Sequence, residues 1–146
     1  IFEGRRMIYK KIMGLDIGDK RIGIAMSDPL RITAQGIETY TRKDEISDVK
    51  YLSDMFRQYG CEFIVSGLPK NMNGTIGPQA EKVMAFCELL KEELGCKVEF
   101  SDERLTTMLV ERTLIEADMS RQKRRKVVDK LASVNILQVY LDQHHF

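Results

Sequence analysis

Histidine is nearly absent from this chain, and its absence excludes several kinds of active site. The 146 residues contain two histidines, His144 and His145, and both lie at the extreme C-terminus. Ser-His-Asp and Cys-His catalytic arrangements and histidine-ligated zinc sites are therefore excluded from the body of the fold. Carboxylate, hydroxyl and basic side chains remain as the groups available for catalysis.

Cysteine is also scarce, and its spacing carries no metal or disulfide signal. The chain has three cysteines, Cys61, Cys87 and Cys96, which is an odd number without a CxxC pair. This pattern excludes a disulfide framework and a zinc knuckle. Free thiols in an ordinary globular domain favour a reducing compartment.

Long apolar runs and a strong excess of charge are missing as well. No run approaches the roughly 18 apolar residues of a membrane helix, and residues 1–6 lack the apolar core of a signal peptide. We therefore expect no membrane association and a cytoplasmic location. The net charge is only +1, so any nucleic-acid-binding surface must be a local patch. Apolar residues at 43% and charged residues at 31% are typical of a globular protein.

The order of apolar patterns predicts an α/β fold in a single domain. Residues 11–146 are expected to form that domain. Residues 1–10 are expected to form an extension, which could derive from an expression vector. Three antiparallel strands followed by alternating helices and strands predict a mixed five-stranded sheet, three strands antiparallel and two parallel, flanked by helices. The predicted strands are 12–17, 21–27, 32–40, 61–67 and 96–101. The predicted helices are 46–59, 78–94, 104–118 and 127–142, with the basic stretch 121–126 between the last two.

Asp16 is the most informative residue of the chain. It ends an apolar strand, and a glycine turn at residues 18–20 leads into a second apolar strand. A buried ionised carboxylate costs several kcal/mol unless it is paired or binds a cation. We therefore expect Asp16 to hold a ligand at the sheet surface or to form an ion pair with Arg21.

Further carboxylates occur where strands and helices meet. Asp102 and Glu103 end the last predicted strand, and Asp129 lies in the first turns of the last predicted helix, on a face shared with Ser133. Three converging carboxylates without histidine would suit Mg²⁺ or Mn²⁺. In the alternative interpretation, Asp102 or Glu103 caps a helix and Asp129 is a favourable charge near a helix N-terminus.

Two segments are candidate phosphate-binding elements. Residues 121–126 carry five positive charges, which indicates either contact with a phosphate backbone or a solvated surface. The loop 67–75 contains Lys70 and could cradle phosphate with its backbone N–H groups, although it lacks the spacing of a nucleotide-binding loop.

Five sequence blocks, in order, resemble the YqgF-type family, whose members are also called RuvX-like Holliday-junction resolvases or pre-16S rRNA nucleases. The resemblance covers about residues 11–142, and the fourth block is the most specific. The blocks are residues 14–23 (GLDIGDKRIG), 27–29 (SDP), 67–69 with 71–74 (GLP, NMNG), 102–107 (DERLTT), and 128–132 leading to 136–141 (VDKLA, ILQVYL).

The resemblance implies a ribonuclease-H-like fold and a catalytic, metal-binding triad of Asp16, Glu103 and Asp129. It implies two divalent cations, Mg²⁺ or Mn²⁺, with Asp16 bridging both and the other two carboxylates holding one each. Asn135 departs from the small residue that is usual in the last helix. The basic residues predicted to contact nucleic acid are Arg21, Lys70, Arg104, Arg121, Lys123, Arg124, Arg125 and Lys126.

The function predicted from this resemblance is a metal-dependent nuclease that processes the 5′ end of pre-16S rRNA. The alternatives are a resolvase of branched DNA, a non-catalytic RNA-binding module, and a relative of the actin-like ATPases, which share an apolar-Asp-x-Gly hairpin. The predicted partners are nucleic acid, either pre-rRNA or branched DNA, and ribosomal particles. The protein itself is expected to be a monomer or a homodimer.

Overall fold

A five-stranded mixed sheet forms the centre of the structure. The computed structural model describes residues 9–102 and 121–144, and over residues 121–130 it describes the backbone alone. The strands are β1 (Lys11–Ile17), β2 (Arg21–Ser27), β3 (Ala34–Thr41), β4 (Cys61–Leu68) and β5 (Val98–Asp102). Their order in the sheet is β3-β2-β1-β4-β5. The first three strands are antiparallel, and β4 and β5 run parallel to β1, which confirms the predicted sheet.

Strand β3 begins two residues later than predicted, because Asp28 holds the preceding residues in a turn. Its carboxylate accepts hydrogen bonds from the N–H groups of Leu30, Ile32 and Thr33. Backbone groups bonded in this way are not available to the sheet ladder. Strand β5 likewise begins at Val98 rather than at residue 96.

Helices cover both faces of the sheet. On one face α1 (Glu45–Gln58) and α2 (Pro78–Leu94) bury a cluster that includes Leu15, Ile24, Leu52, Phe86 and Leu90. On the other face α3 (Arg121–Gln143) packs on Ile12, Phe63 and Val65 through Ile136, Leu137, Tyr140 and Leu141. None of the helices in the described ranges is long and apolar enough to cross a lipid bilayer.

Helix α3 is longer than the sequence pattern predicted. The basic stretch 121–126 was expected to separate two helices, but it forms the first turns of α3. Arginine, lysine and glutamine all favour helix, and no proline or glycine interrupts the run. Asp129 therefore lies in the third turn, so its interpretation as a charge near a helix N-terminus is wrong.

Candidate functional site

The β1–β2 hairpin that carries Asp16 closes tightly at Gly18. The Gly18 N–H donates to the carbonyl oxygen of Arg21 over 2.8 Å. A Cβ atom at position 18 would lie 2.9 Å from that same carbonyl oxygen. Because the obstacle is backbone, a larger residue would force the turn open, so glycine is needed where the chain returns.

Asp16 lies at the C-terminal end of β1, opposite Gly23 of β2. It is half-buried, and within the described part of the chain its carboxylate has neither a hydrogen bond nor an ion pair. Arg21 lies on the same face of β2 as Gly23, two residues away, and is exposed. The alternative of an Asp16–Arg21 ion pair is therefore wrong, although both residues belong to one face and one end of the sheet.

Helix α3 covers this face and runs antiparallel to β1 and β3. Val134 of α3 lies against Gly36 of β3, at 3.2 Å from the position of a Cβ atom there. Four residues further along α3, the Gln138 side chain accepts a hydrogen bond from the N–H of Ala34 over 2.8 Å. An advance of four residues along α3 therefore corresponds to a step of two residues backwards along β3, because the helix and the strand run in opposite directions.

The closest approach between α3 and β1 occurs at Gly14. A Cβ atom at position 14 would lie 2.8 Å from the Leu137 Cβ and 3.3 Å from the Ser133 carbonyl oxygen. Glycine is required there because both neighbours are rigid parts of the helix. Since Asp16 is two residues beyond Gly14, the same spacing brings it level with positions 129–133 of α3.

Ser133 is a buried polar residue at this level. Its side chain is 1% exposed, and its hydroxyl has no hydrogen-bond partner among the described residues. Buried hydroxyls nearly always have a partner, so an orphan hydroxyl level with Asp16 indicates a polar environment that the described residues alone do not complete. In the sequence pattern Ser133 shares a helical face with Asp129, and nothing in that pattern indicates a role for it.

A partly buried ion pair fixes the hairpin from the opposite face of the sheet. The Arg42 guanidinium donates to the Asp48 carboxylate over 2.9 Å and to the Gly18 carbonyl oxygen over 3.0 Å. The same group lies over the Phe86 ring, 4.7 Å from its centroid. The turn after Asp16 is therefore tied to α1 and α2. No local sequence signal marks the contact of Arg42 with the hairpin, because Gly18 and Phe86 are distant from it in the chain.

The loop after β4 brings Lys70 to the same end of the sheet as Asp16. Lys70 is half-buried. The N–H groups of Asn71 and Gly74 donate to the carbonyl oxygens of Thr75 and Asn71, and the Thr75 N–H donates to the Asn73 side chain. These three donors are used within the loop and are not available to a phosphate, whereas the Lys70 ammonium remains a candidate contact.

Several predicted site residues lie outside the described residues. These are Glu103, Arg104 and the predicted helix 104–118. For Asp129 and for Arg121, Lys123, Arg124, Arg125 and Lys126 the backbone lies in α3 and the side chains are outside the description. Among the side chains that are described, no group of three or more His, Cys, Asp or Glu residues could hold a metal ion.

The cysteines are unsuited to catalysis or metal binding. Burial raises the pKa of the Cys61 thiol to about 12 and that of Cys87 to about 11. Burial also raises the pKa of the half-buried Cys96 thiol. A thiol with a raised pKa stays protonated near neutral pH, and the thiolate is the form that attacks or ligates.

Comparison with known proteins identifies the family. A family model described as "RuvX: Holliday junction resolvase" matches residues 10–143. The chain belongs to the RuvX family. The predicted resemblance is thus confirmed, and RuvX membership makes the chain a phosphodiester hydrolase, as predicted. The match begins one residue before the predicted domain start.

Curated relatives of this RuvX chain are similar along nearly their whole length. A Clostridioides difficile (strain 630) protein is 57% identical over 136 residues, which cover 93% of this chain and 96% of the relative. A Clostridium novyi (strain NT) protein is 54% identical over 132 residues, covering 90% and 98%. Both are named as candidate pre-16S rRNA nucleases.

Two solved structures of Holliday-junction resolvases are similar in fold to this chain. Thermus thermophilus RuvC in complex with a Holliday junction aligns with a TM-score of 0.57 and 10% identity, covering 92% of this chain and 96% of RuvC. The fowlpox virus resolvase aligns with a TM-score of 0.55 and 15% identity, covering 92% and 99%. At such identity the likeness concerns the fold, and it confirms the predicted ribonuclease-H-like architecture.

Proposed function

We propose that this RuvX protein is a divalent-cation-dependent nuclease that processes the 5′ end of pre-16S rRNA. The observation that carries the proposal is the half-buried Asp16, which has no partner in the described part of the chain, at the C-terminal end of β1. Near-full-length relatives named for pre-16S rRNA support the choice of substrate.

The proposed ligands are Asp16, Glu103 and Asp129. The helix spacing derived from Gly14 and Leu137 supports Asp129, because Asp16 is level with positions 129–133 of α3. Alternation along β5 supports Glu103 over its neighbour, since Asp102 is in register with Leu68, whose side chain is buried on the α1/α2 face. Asp102 therefore belongs to the face opposite Asp16, and Glu103, the next residue in the sequence, is the proposed ligand.

The donor set fits a hard cation. Carboxylate oxygens are the ligands that Mg²⁺ and Mn²⁺ prefer, and the orphan hydroxyl of Ser133 adds a polar group on the same face. When bound, divalent cations activate water and neutralise charge on the phosphoryl oxygens. The Asp16 carboxylate would provide the fixed negative charge that binds them, while Arg42 and Gly18 keep its hairpin rigid.

The basic residues would hold the phosphate backbone. Arg21 and Lys70 lie at the end of the sheet that carries Asp16. Arg104 and the basic turns of α3 are assigned the same role. Contacts of this kind set position and affinity but do not read sequence.

Cleavage of branched DNA is the second candidate function, because the matching family model is described as a Holliday junction resolvase. A non-catalytic RNA-binding role is a third. A side-by-side assay separates the three. We expect the protein to cleave a pre-16S rRNA 5′ fragment faster than a four-way DNA junction, in Mg²⁺ or Mn²⁺. Faster junction cleavage would reverse the substrate assignment, and no cleavage of either would favour the non-catalytic role.

The first prediction concerns Asp16→Asn, which keeps the size of the side chain and removes its charge. We expect RNA cleavage to fall by at least about 100-fold, because several kcal/mol of charge stabilisation depend on the bound cation. The measurement is the single-turnover rate with saturating Mn²⁺.

Asp19→Asn is the matched control. Asp19 lies in the turn between β1 and β2, close to Asp16 in the sequence. It is exposed, and its Oδ1 lies 3.7 Å from the Nζ of Lys82 in α2, the helix layer on the face opposite α3. We expect its rate to stay within about twofold of the wild type, since surface ion pairs contribute less than about 1 kcal/mol. Wild-type cleavage by Asp16→Asn would disprove the proposed ligand role of Asp16.

A further inference from the structure

Ser133 is an unusual residue for a helix that packs on a sheet. Its neighbours toward the sheet, Ala132, Ile136 and Leu137, are apolar and buried. A buried hydroxyl without a hydrogen bond loses its contacts with water and gains nothing in return, which destabilises the folded state. An alanine at this position would avoid that cost, so packing alone does not explain the serine.

The position of Ser133 is defined by its contact with β1. Its carbonyl oxygen lies 3.3 Å from where a Cβ atom of Gly14 would be. Because α3 advances four residues for every two residues of the strands, Asp16 is level with the helical turn between positions 129 and 133. Ser133 is thus one helical turn from Asp129 and level with the part of β1 between Gly14 and Asp16.

Both Ser133 and Asp16 lack hydrogen-bond partners within the described part of the chain. One is a donor and the other is an acceptor when ionised. The two groups complement each other, and a single bridging water is the ordinary way in which such buried polar groups are satisfied.

We propose that Ser133 is a positioning residue of the cation site, whose hydroxyl donates a hydrogen bond, through a bridging water, to the Asp16 carboxylate. This inference rests on the proposed function. The bond would fix the orientation of the carboxylate, so that its remaining oxygen faces the cation. Hydrogen bonds that orient metal ligands in this way usually affect metal affinity by about 10–100-fold.

The test is a Mn²⁺ titration of the whole protein, by calorimetry or electron paramagnetic resonance, without substrate. We expect Ser133→Ala to weaken Mn²⁺ binding by about 10-fold or more. The thermal stability of the metal-free variant should hold or rise, because the Ser133 hydroxyl makes no hydrogen bond to another described protein group. A purely structural serine would give the opposite pair of results, lower stability and unchanged affinity.

Ser53→Ala provides the matched control. Ser53 of α1 is also a 1%-exposed serine with an orphan hydroxyl, but it lies in the layer on the opposite face of the sheet. Its replacement should leave Mn²⁺ affinity unchanged. An equal loss of affinity in both variants would contradict the proposal, because it would reflect a general change in the fold.

Two further results separate this inference from the proposed function. In the first, the wild type binds Mn²⁺, Asp16→Asn does not, and Ser133→Ala binds it with wild-type affinity. This result overturns the role of Ser133 and leaves the proposed function standing. Failure of the wild type to bind Mn²⁺ overturns both.

Discussion

Asp48 is 1% exposed, and its charge is held by donors from the segment just before α1. The Tyr40 hydroxyl, the Arg42 guanidinium and the Lys43 N–H each donate to its carboxylate over 2.9 Å. Burial alone would raise the pKa of Asp48, but these hydrogen bonds together hold the pKa below its usual range. Folding is therefore coupled to the ionised form of this carboxylate.

We predict that Asp48→Ala lowers the free energy of unfolding by about 3 kcal/mol near neutral pH, because it leaves the partly buried Arg42 without its partner. The folded pKa is depressed, so this stabilisation is complete above the unfolded pKa of about 3.9 and is lost as pH falls through the folded value. Urea denaturation at neutral and acidic pH measures both effects, and the difference from wild type should narrow in acid.

Asp54→Ala serves as the control for this prediction. Asp54 lies on the same helix and is exposed, so its replacement should change stability by less than about 0.5 kcal/mol. A comparable loss in both variants, or a difference from wild type that persists in acid, would contradict the assigned role of Asp48.

Residues with local signals were predictable, and residues defined by packing were not. Helix α2 begins at Pro78 and ends before Gly95, as expected. Proline suits the first helical turn, and Gly95 adopts φ +63° at the end of the helix. The roles of Arg42 and Ser133 depend on Gly18, Asp48 and Gly14, which the chain brings to them only after folding. The sequence pattern of a single segment does not indicate contacts with residues elsewhere in the chain.

At the scale of whole elements, α3 was the least predictable helix. Its first turns are polar on every side, so the apolar period that marks helices is missing there. The period becomes visible only from the part of α3 that packs on the sheet. This difference matters for function. Basic residues that belong to a helix have fixed angular positions around its axis, whereas those of a linker would not.

We predict that the two halves of this basic run contribute differently to nucleic-acid binding. At about 100° per residue, positions 125 and 126 lie within about 60° of position 129, whereas positions 123 and 124 lie about 120–140° away. The double replacement of Arg125 and Lys126 by Ala should make the slope of log affinity against log salt shallower by about one for each lost phosphate contact.

Replacement of Lys123 and Arg124 by Ala is the charge-matched comparison and should change that slope less. The measurement is a salt titration of binding to an uncleavable RNA in Ca²⁺. Equal changes in both double variants would mean that the direction around α3 is irrelevant. An unchanged slope in both would identify residues 121–126 as a solvated surface.

At the scale of the whole molecule, the proposed ligands come from distant parts of the chain. Asp16 ends β1, Glu103 follows β5, and Asp129 belongs to α3 on the other side of the sheet from α1 and α2. An unfolded chain cannot bring these carboxylates together. Cation binding should therefore stabilise the native state by mass action, and removal of the cation should reverse it.

We predict that Mn²⁺ at about 100 times its dissociation constant raises the free energy of unfolding by about 2.7 kcal/mol, which for a chain of this size raises Tm by about 5–10 °C. EDTA should abolish the increase.

Asp16→Asn should show no increase, and its metal-free Tm should equal or exceed that of the wild type, because a half-buried charge without a partner in the described residues is removed. Asp19→Asn should retain the full increase. The measurement is differential scanning calorimetry with and without Mn²⁺, and an increase in Asp16→Asn equal to that of the wild type would move the stabilising cation away from Asp16.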